Sequence, residues 1–265
     1  MYSQTMLSNC NKAGVTVLSS GTTGQPKEIF RSKENLAYCN YIANDVQKIT
    51  KNSRIYTVCD MRHAGGMLAQ TLPAIAIGAS VEIETFNAYT WCKKIRNFTH
   101  SHITPGQAIA IMLTKNSQLL DLSNIWITCG SNQITYPIIK WFLERRAHFL
   151  ANWGMSEVGP IAINRLFSKK NDLEDLKRDL LEIGYSYKNS QDDDYKKLSK
   201  KTLKYDPLIP TIMGNKQYCE VKIIENQLHV KGLICVKKGW FNTNDLCVTN
   251  NGSLYYLGRT VKSSG

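Results

Sequence analysis

Val15-Thr16-Val17-Leu18-Ser19-Ser20-Gly21-Thr22-Thr23-Gly24-Gln25-Pro26-Lys27 decides the reading of this chain. An apolar, β-branched run gives way to small and hydroxylated residues and closes on Pro-Lys, which predicts a short strand running into a loop. Gly21 and Gly24 let the backbone approach a ligand closely. Successive N–H groups in such a loop form an anion-binding concavity. The hydroxyls of Ser19, Ser20, Thr22 and Thr23 add donors, and Lys27 adds a mobile positive charge. This is equipment for holding a polyphosphate. It is not a Walker loop, which requires four residues between its first glycine and Gly-Lys-Ser/Thr. Read alone, the stretch also fits an ordinary surface turn.

Outward from the loop, helices and strands alternate. Ser32 caps a predicted helix whose apolar positions are Leu36, Cys39, Ile42, Val46 and Ile49. Strands are expected at 54–60, 79–84, 100–103, 125–129 and 148–152. Helices are expected at 65–77 with a kink at Pro73, at 89–98, from Pro105 onward, and at 134–146. This order predicts an α/β fold: a mostly parallel sheet flanked by helices, with the ligand beyond the carboxyl ends of its strands. Residues 168–205 are charge-rich; 172–182 has helical spacing and the remainder reads as a mobile loop. From Tyr218 the chain turns to short strands: 218–224 and 227–231 form a hairpin around Glu225-Asn226, and 233–236, 247–249 and 253–257 follow. The expected organisation is an α/β core over 1–167, a charged insertion over 168–205 and a small C-terminal β layer over 206–265.

Five further clusters carry chemistry. Asn152-Trp153-Gly154-Met155-Ser156-Glu157 sets an aromatic ring, a hydroxyl and a carboxylate close together, which suits base stacking, phosphate contact and Mg²⁺. Asn242-Thr243-Asn244-Asp245 offers a carboxylate after a turn, with Asn244 tolerant of left-handed backbone. Gly258-Arg259 and His63-Ala64-Gly65-Gly66 complete the set, and Gly130-Ser131-Asn132 forms a turn between strand and helix. Each cluster alone also fits a capped turn or a packed aromatic.

Their order in the chain resembles that of the adenylate-forming enzymes: acyl-CoA synthetases, luciferase and peptide-synthetase adenylation domains. The general look is nearest the small acyl-CoA synthetases such as o-succinylbenzoate–CoA ligase, and the likeness runs from Val15 to Lys262. The resemblance implies the large-domain core of that superfamily. It also implies a ligase in which a carboxylate attacks the α-phosphate of ATP, forming acyl-AMP and pyrophosphate. By the same resemblance, Thr22, Thr23 and Lys27 cradle the β- and γ-phosphates and Ser156 contacts phosphate. Trp153 stacks on adenine, Glu157 holds Mg²⁺, and Asp245 and Arg259 take the ribose. Ser19, Ser20, Gly21, Gly24, Gly130, Ser131, Asn152, Gly154 and Met155 line the nucleotide, and His63 closes the acyl pocket near Gly130 and Trp153. Coenzyme A is the implied co-substrate; a protein or RNA acceptor is the alternative. Family members carry a long region before the phosphate loop and a mobile C-terminal domain with a catalytic lysine. Here Met1–Gly14 precede the loop and the chain stops at Gly265. The expectation is therefore a reduced core, either a minimal ligase or a non-catalytic ATP/AMP or acyl-adenylate binding module, with homodimerisation covering the surface laid bare.

Composition bounds these readings. The net charge is +12 with 43% apolar and 20% charged residues. That charge favours anionic ligands such as ATP, with a nucleic-acid-associated protein as the third reading. No apolar run spans a bilayer and no signal-peptide core is visible, so no membrane partner is expected and a cytoplasmic location is the default. The eight cysteines are scattered without C-x-x-C pairs, as small buried hydrophobes in a reducing compartment are.

Overall fold

The computed structural model describes residues 2–19, 26–184 and 211–260. The phosphate-loop residues Ser20, Gly21, Thr22, Thr23 and Gly24 lie outside these, as does the expected mobile part of the charged segment. In chain order the described elements are α1 (Gln4–Ala13), β1 (Val15–Leu18), β2 (Glu28–Arg31), α2 (Lys33–Gln47), β3 (Arg54–Thr57), α3 (Ala64–Gly66), α4 (Leu72–Ala76), β4 (Ser80–Ile83), α5 (Ala88–Lys94), β5 (His100–Ile103), α6 (Pro105–Met112), β6 (Trp126–Cys129), α7 (Tyr136–Glu144), β7 (His148–Met155), β8 (Gly159–Phe167), α8 (Lys170–Glu182), β9 (Thr211–Gly214), β10 (Lys216–Gln217), β11 (Glu220–Ile224), β12 (Gln227–Lys231), β13 (Phe241–Asn250) and β14 (Ser253–Arg259).

A central sheet runs β10-β8-β7-β6-β5-β3-β4, parallel from β7 through β4, with β8 and β10 antiparallel. A second, antiparallel sheet runs β11-β12-β13-β14-β9, and β1 and β2 form a separate two-stranded hairpin. The mixed α/β fold is thus the expected one. The parallel strands are buried on both faces, as His100–Ile103 shows at every position, because helices cover each side. One face packs α5, α6, α7 and α8 around Trp91, Ile111, Trp141, Phe149, Leu173 and Leu176. α8 starts where the Asp172 carboxylate accepts the Ser168 and Lys169 N–H groups, both at 2.8 Å.

Local signals in the sequence set several boundaries. Ser32 caps α2 through the Asn35 N–H, and Thr104 and Gln107 form a reciprocal capping box around Pro105 at the start of α6. Other elements depart from expectation. The helix expected at 65–77 is three pieces, because a π-helical turn, Met67–Thr71, separates α3 from α4. Pro73 has no N–H to give the Ala69 carbonyl one turn back; Gln47 of α2 donates to that carbonyl instead, at 2.8 Å. The segment 233–236 is a turn, not a strand, because its carbonyls are taken by side chains of Arg31 and Asn35 rather than by a ladder. The strand expected at 148–152 continues to Met155, so Trp153 sits in a strand and not in a loop. It folds back into β8, a nine-residue strand that sequence reading missed. The strand expected at 247–249 spans 241–250 and takes in Asp245. Asn244 is left-handed there (φ 61°), as its residue type predicted, at a point where the β12–β13 register slips.

Candidate nucleotide site

The site gathers on the tight β7–β8 turn. Gly154 is required there: a Cβ would collide with the Gly159 carbonyl. Three contacts fan out from this turn.

The first joins the turn to the phosphate-loop hairpin. Leu18 and Glu28 are the last paired residues of β1 and β2. The Ser19 N–H donates to the Lys27 carbonyl (2.8 Å) and the Lys27 N–H donates to Ser19 Oγ (3.1 Å), closing the base of the loop. The Leu18 carbonyl then accepts from Ser156 Oγ (3.2 Å) and from His63 Nδ1 (3.1 Å). A carbonyl only accepts, so Nδ1 is the protonated nitrogen in this contact. The side chain of Lys27 is exposed.

Arg31, which sequence reading did not single out, reinforces this junction. It is fully buried (0% exposed). Its guanidinium donates to the carbonyls of Ser156 (2.7 Å) and Ile234 (3.1 Å) and to Asn35 Oδ1 (2.6 Å). Burial pulls its pKa down, opposed by neighbouring Cys39, Cys235 and Glu157. One side chain therefore ties the strand leaving the phosphate loop to the Ser156-Glu157 turn and to the 232–240 loop. The Val236 N–H donates to the Glu157 carbonyl (2.9 Å), bringing that loop to the turn as well.

The second contact reaches the C-terminal sheet. Trp153 Nε1 donates to Asp245 Oδ2 (2.9 Å) and Arg259 Nε donates to Asp245 Oδ1 (2.5 Å). The carboxylate is 1% exposed. Burial alone would lower the pKa of Arg259, but the hydrogen bond and charge of Asp245 outweigh it and the net shift is upward, with Glu157 contributing. The two oxygens are engaged by protein, leaving Asp245 only its remaining lone pairs for any ligand hydroxyl.

The third contact runs back along β7. A Cβ on Gly130 would lie 2.8 Å from the Asn152 carbonyl oxygen and 2.9 Å from its side-chain nitrogen, and one on Gly65 would lie 3.4 Å from Ser131 Oγ and 2.9 Å from His102 Cε1. The His63-to-Gly66 segment, the Gly130-Ser131 turn and Asn152 therefore pack together. Asn152 Oδ1 and Asn164 Nδ2, on residues that face each other across β7 and β8, are buried without a hydrogen-bond partner among the described residues.

The described residues picked from sequence thus form one connected patch, linked by strand β7 and its turn: Ser19, Lys27, His63, Gly130, Ser131, Asn152, Trp153, Gly154, Met155, Ser156, Glu157, Asp245 and Arg259. A cavity of about 1000 Å³ lies elsewhere, along the whole of edge strand β4 and out to the segment after β3, lined by Leu7, Cys59, Asp60, Arg62, Glu82 and Gln107 among others. It borders the segment before His63 but reaches neither Gly130 nor Trp153. No cluster of three or more His, Cys, Asp or Glu side chains suited to a metal occurs among the described residues. A Mg²⁺ ion would therefore rely on Glu157, substrate phosphates and water, a donor set Mg²⁺ commonly accepts. No described helix is long and apolar enough to cross a membrane.

Comparison with known proteins adds the following. Residues 14–192 match the family described as AMP-binding enzyme. An indoleacetate–CoA ligase of Aromatoleum aromaticum is 30% identical over 148 residues, which is 54% of this chain and 29% of that protein. Among solved structures, the inhibitor-bound N-terminal domain of FACL13 from Mycobacterium tuberculosis superposes with TM-score 0.68 at 16% identity, covering 92% of this chain and 60% of that one. ATP-bound MatB from Rhodopseudomonas palustris gives 0.64 at 15% identity, with 92% and 47% covered. A Bacillus subtilis o-succinylbenzoate CoA synthetase bound to a product analogue gives 0.68 at 18% identity, with 94% and 50% covered. At these identities the structural likeness shows the fold. The chain spans 29% to 60% of the length of these relatives.

Proposed function

Because the chain belongs to the AMP-binding enzyme family, we propose that it uses ATP to activate a small carboxylic acid. A carboxylate oxygen attacks the α-phosphorus, the bond to the bridging oxygen of the β-phosphate breaks, and pyrophosphate leaves with that electron pair. The product is acyl-AMP. No covalent nucleophile of the protein is needed; its task is positioning and charge neutralisation. In this reading the Trp153 ring takes the adenine, with its plane fixed by the bond from Nε1 to Asp245. Asp245 and Arg259 take the ribose. Ser19, Ser20, Gly21, Thr22, Thr23, Gly24 and Lys27 surround the β- and γ-phosphates, and Ser156 adds a hydroxyl. Glu157 would hold Mg²⁺, whose charge offsets that of the polyphosphate. His63, Gly130 and Ser131 border the acyl group. The acceptor of the acyl group is coenzyme A or another nucleophile on a protein or RNA, and self-association into a homodimer belongs to the same proposal.

The observation that carries this reading is the Trp153–Asp245–Arg259 hydrogen-bonded set. Trp153 of the central sheet reaches Asp245 of the C-terminal sheet, 92 residues on, and the same carboxylate takes Arg259, its cross-strand partner in the β13–β14 hairpin. Pyrophosphate release with a panel of carboxylic acids, trapped as hydroxamates, tests it. Turnover with one acid supports a ligase. ATP binding without turnover on any acid overturns catalysis in favour of a nucleotide-binding module, and absence of ATP binding overturns the site itself.

A further inference from the structure

Near the carboxyl ends of its parallel strands, the central sheet has two unlike faces. Ile103, Ile127, Cys129, Phe149 and Ala151 make one of them apolar. Register and alternation put Thr57, His102, Thr128, Asn152 and Asn164 on the other. The segment from Gly65 to Thr71 covers this second face. A Cβ on Gly65 would lie 2.9 Å from His102 Cε1, Gln70 Nε2 lies 3.4 Å from Thr128 Oγ1, and Thr71 Oγ1 lies 2.8 Å from Thr57 Oγ1. All of these polar side chains are buried. Gln70 Oε1, Asn152 Oδ1 and Asn164 Nδ2 have no hydrogen-bond partner among the described residues. The orientation of Gln70 is fixed by its neighbour. Gln47 Nε2 faces the Ala43 and Ala69 carbonyls, so Gln47 Oε1 meets Gln70 Nε2 and Gln70 Oε1 is the free end. Asn152 and Asn164 are directly paired, a geometry that sets Cβ atoms about 5 Å apart, yet the free acceptor and the free donor do not bond to each other. Asn152 also backs onto Gly130, where a Cβ would lie 2.9 Å from its Nδ2. The polar layer therefore adjoins His63, Gly130 and Ser131, the residues that border the acyl group in the proposed reaction.

We propose that this layer binds the far end of the acyl group, and that the acid ends there in a neutral hydroxyl or carboxamide. The inference rests on the adenylating reading of the site. Asn164 Nδ2 donates to the oxygen of that terminal group, and Asn152 Oδ1 or Gln70 Oε1 accepts its hydrogen. A plain hydrocarbon tail would leave these buried atoms unpaired, and sites built to hydrogen-bond a substrate reject analogues that do so. No lysine or arginine bonds to these side chains among the described residues, and burial holds His102 neutral, its pKa down at about 4. A second carboxylate would thus be buried without a countercharge, which is costly. Entry requires the cover to shift. That cover is built of short pieces, Ala64–Gly66 and the π-helical turn Met67–Thr71, a form common at functional sites.

The test compares straight-chain acids with their terminal hydroxyl, carboxamide and carboxylate analogues at a series of chain lengths. Rates come from hydroxamate trapping. Affinities come from calorimetry with the matching acyl-sulfamoyl adenosines, which needs no turnover. At the best length, the hydroxyl or carboxamide compound should exceed the plain one by at least about 10-fold in kcat/KM and in affinity. Asn164→Leu should bring the two to parity, a change of ratio that a general loss of stability would not produce. A thermal melt establishes that the variant is folded; if it is not, the ratio in the unaltered protein decides. Plain or dicarboxylic compounds bound as well as the neutral polar ones overturn the inference, as does a preference unchanged in folded Asn164→Leu. Preferential binding of polar mimics without turnover upholds it and overturns the ligase reading instead. Binding of no mimic overturns both.

Discussion

Asp245 and Arg31 frame the site at the scale of single residues. Asp245 is a buried carboxylate whose negative charge is balanced by Arg259 and hydrogen-bonded by Trp153. Asp245→Ala removes both acceptors, and the expected cost to ATP affinity is about 1–3 kcal/mol, read by titration calorimetry alongside a thermal melt. An unchanged dissociation constant would remove Asp245 from the nucleotide site. Arg31→Gln leaves the Ser156 and Ile234 carbonyls under-satisfied. The unfolding free energy should fall by about 1–3 kcal/mol, read by urea titration, with ATP affinity weakened in parallel because the β7–β8 turn loses its tie to the phosphate-loop hairpin. Trp153, Asp245 and Arg259 were legible because each lies in a short cluster with an evident chemical use. Arg31 was not. Its signal was a charge at an inward position of an alternating strand: Ile29 and Arg31 share a face of β2. A lone arginine four residues after Lys27 reads as surface charge until the partner carbonyls, far away in sequence, are known.

At the scale of elements, the helix following His63 shows how a proline is absorbed. The Ala69 carbonyl that Pro73 cannot serve is served by Gln47, and Gln47 Oε1 in turn accepts from Gln70 Nε2 (2.9 Å) and Thr128 Oγ1 (2.6 Å). Gln47 thus joins α2, the π-helical turn and β6 inside a region where it is 0% exposed. Gln47→Leu orphans the Ala69 carbonyl and takes the shared acceptor from the Gln70 amide and the Thr128 hydroxyl, which keep only their 3.4 Å contact with each other. The expected destabilisation is at least about 3 kcal/mol, from several buried polar groups losing partners at once, measured as a drop in urea midpoint. Periodicity predicted the buried helix and the proline predicted its break, but the π-helical form depends on a glutamine whose partners lie on three elements. The β8 strand escaped sequence reading for a related reason. Pro160 near its start argues against a strand, and its polar inward residues Asn164 and Arg165 break the apolar run; Arg165 is held by the buried Asp179 and Ser253, while Asn164 Nδ2 stays buried without a partner among the described residues. The 233–236 segment fails the other way, apolar enough for a strand but diverted by Arg31 and Asn35.

At the scale of the whole molecule, two buried histidines contribute to the pH response between about pH 4 and 6.5. Burial holds His100 and His102 down at about 4, from the usual 6.5. In the unfolded chain both take up a proton as pH falls through 6.5, whereas the folded chain resists until about 4. The unfolded state thus binds more protons in that window, and stability rises with pH across it. Unfolding free energy should climb from pH 4 to 6.5, at most about 2.7 kcal/mol per pH unit for two groups, with no contribution from these groups above that. His102→Gln should halve the slope, and an unchanged slope would show that His102 is not the group responsible.

The central sheet ends on β4, which among the described residues pairs on one side alone, with β3. Its outward row begins with exposed Ser80 and Glu82, and Lys94 bridges Glu82 (2.9 Å) and Glu84. Charge along an unpaired rim deters a second copy from adding its own strand. Those few side chains are gatekeepers against aggregation: Ser80→Val/Glu82→Val would convert the rim to an unbroken β-branched run, and light scattering should then rise with concentration, whereas Glu82→Lys should stay clear.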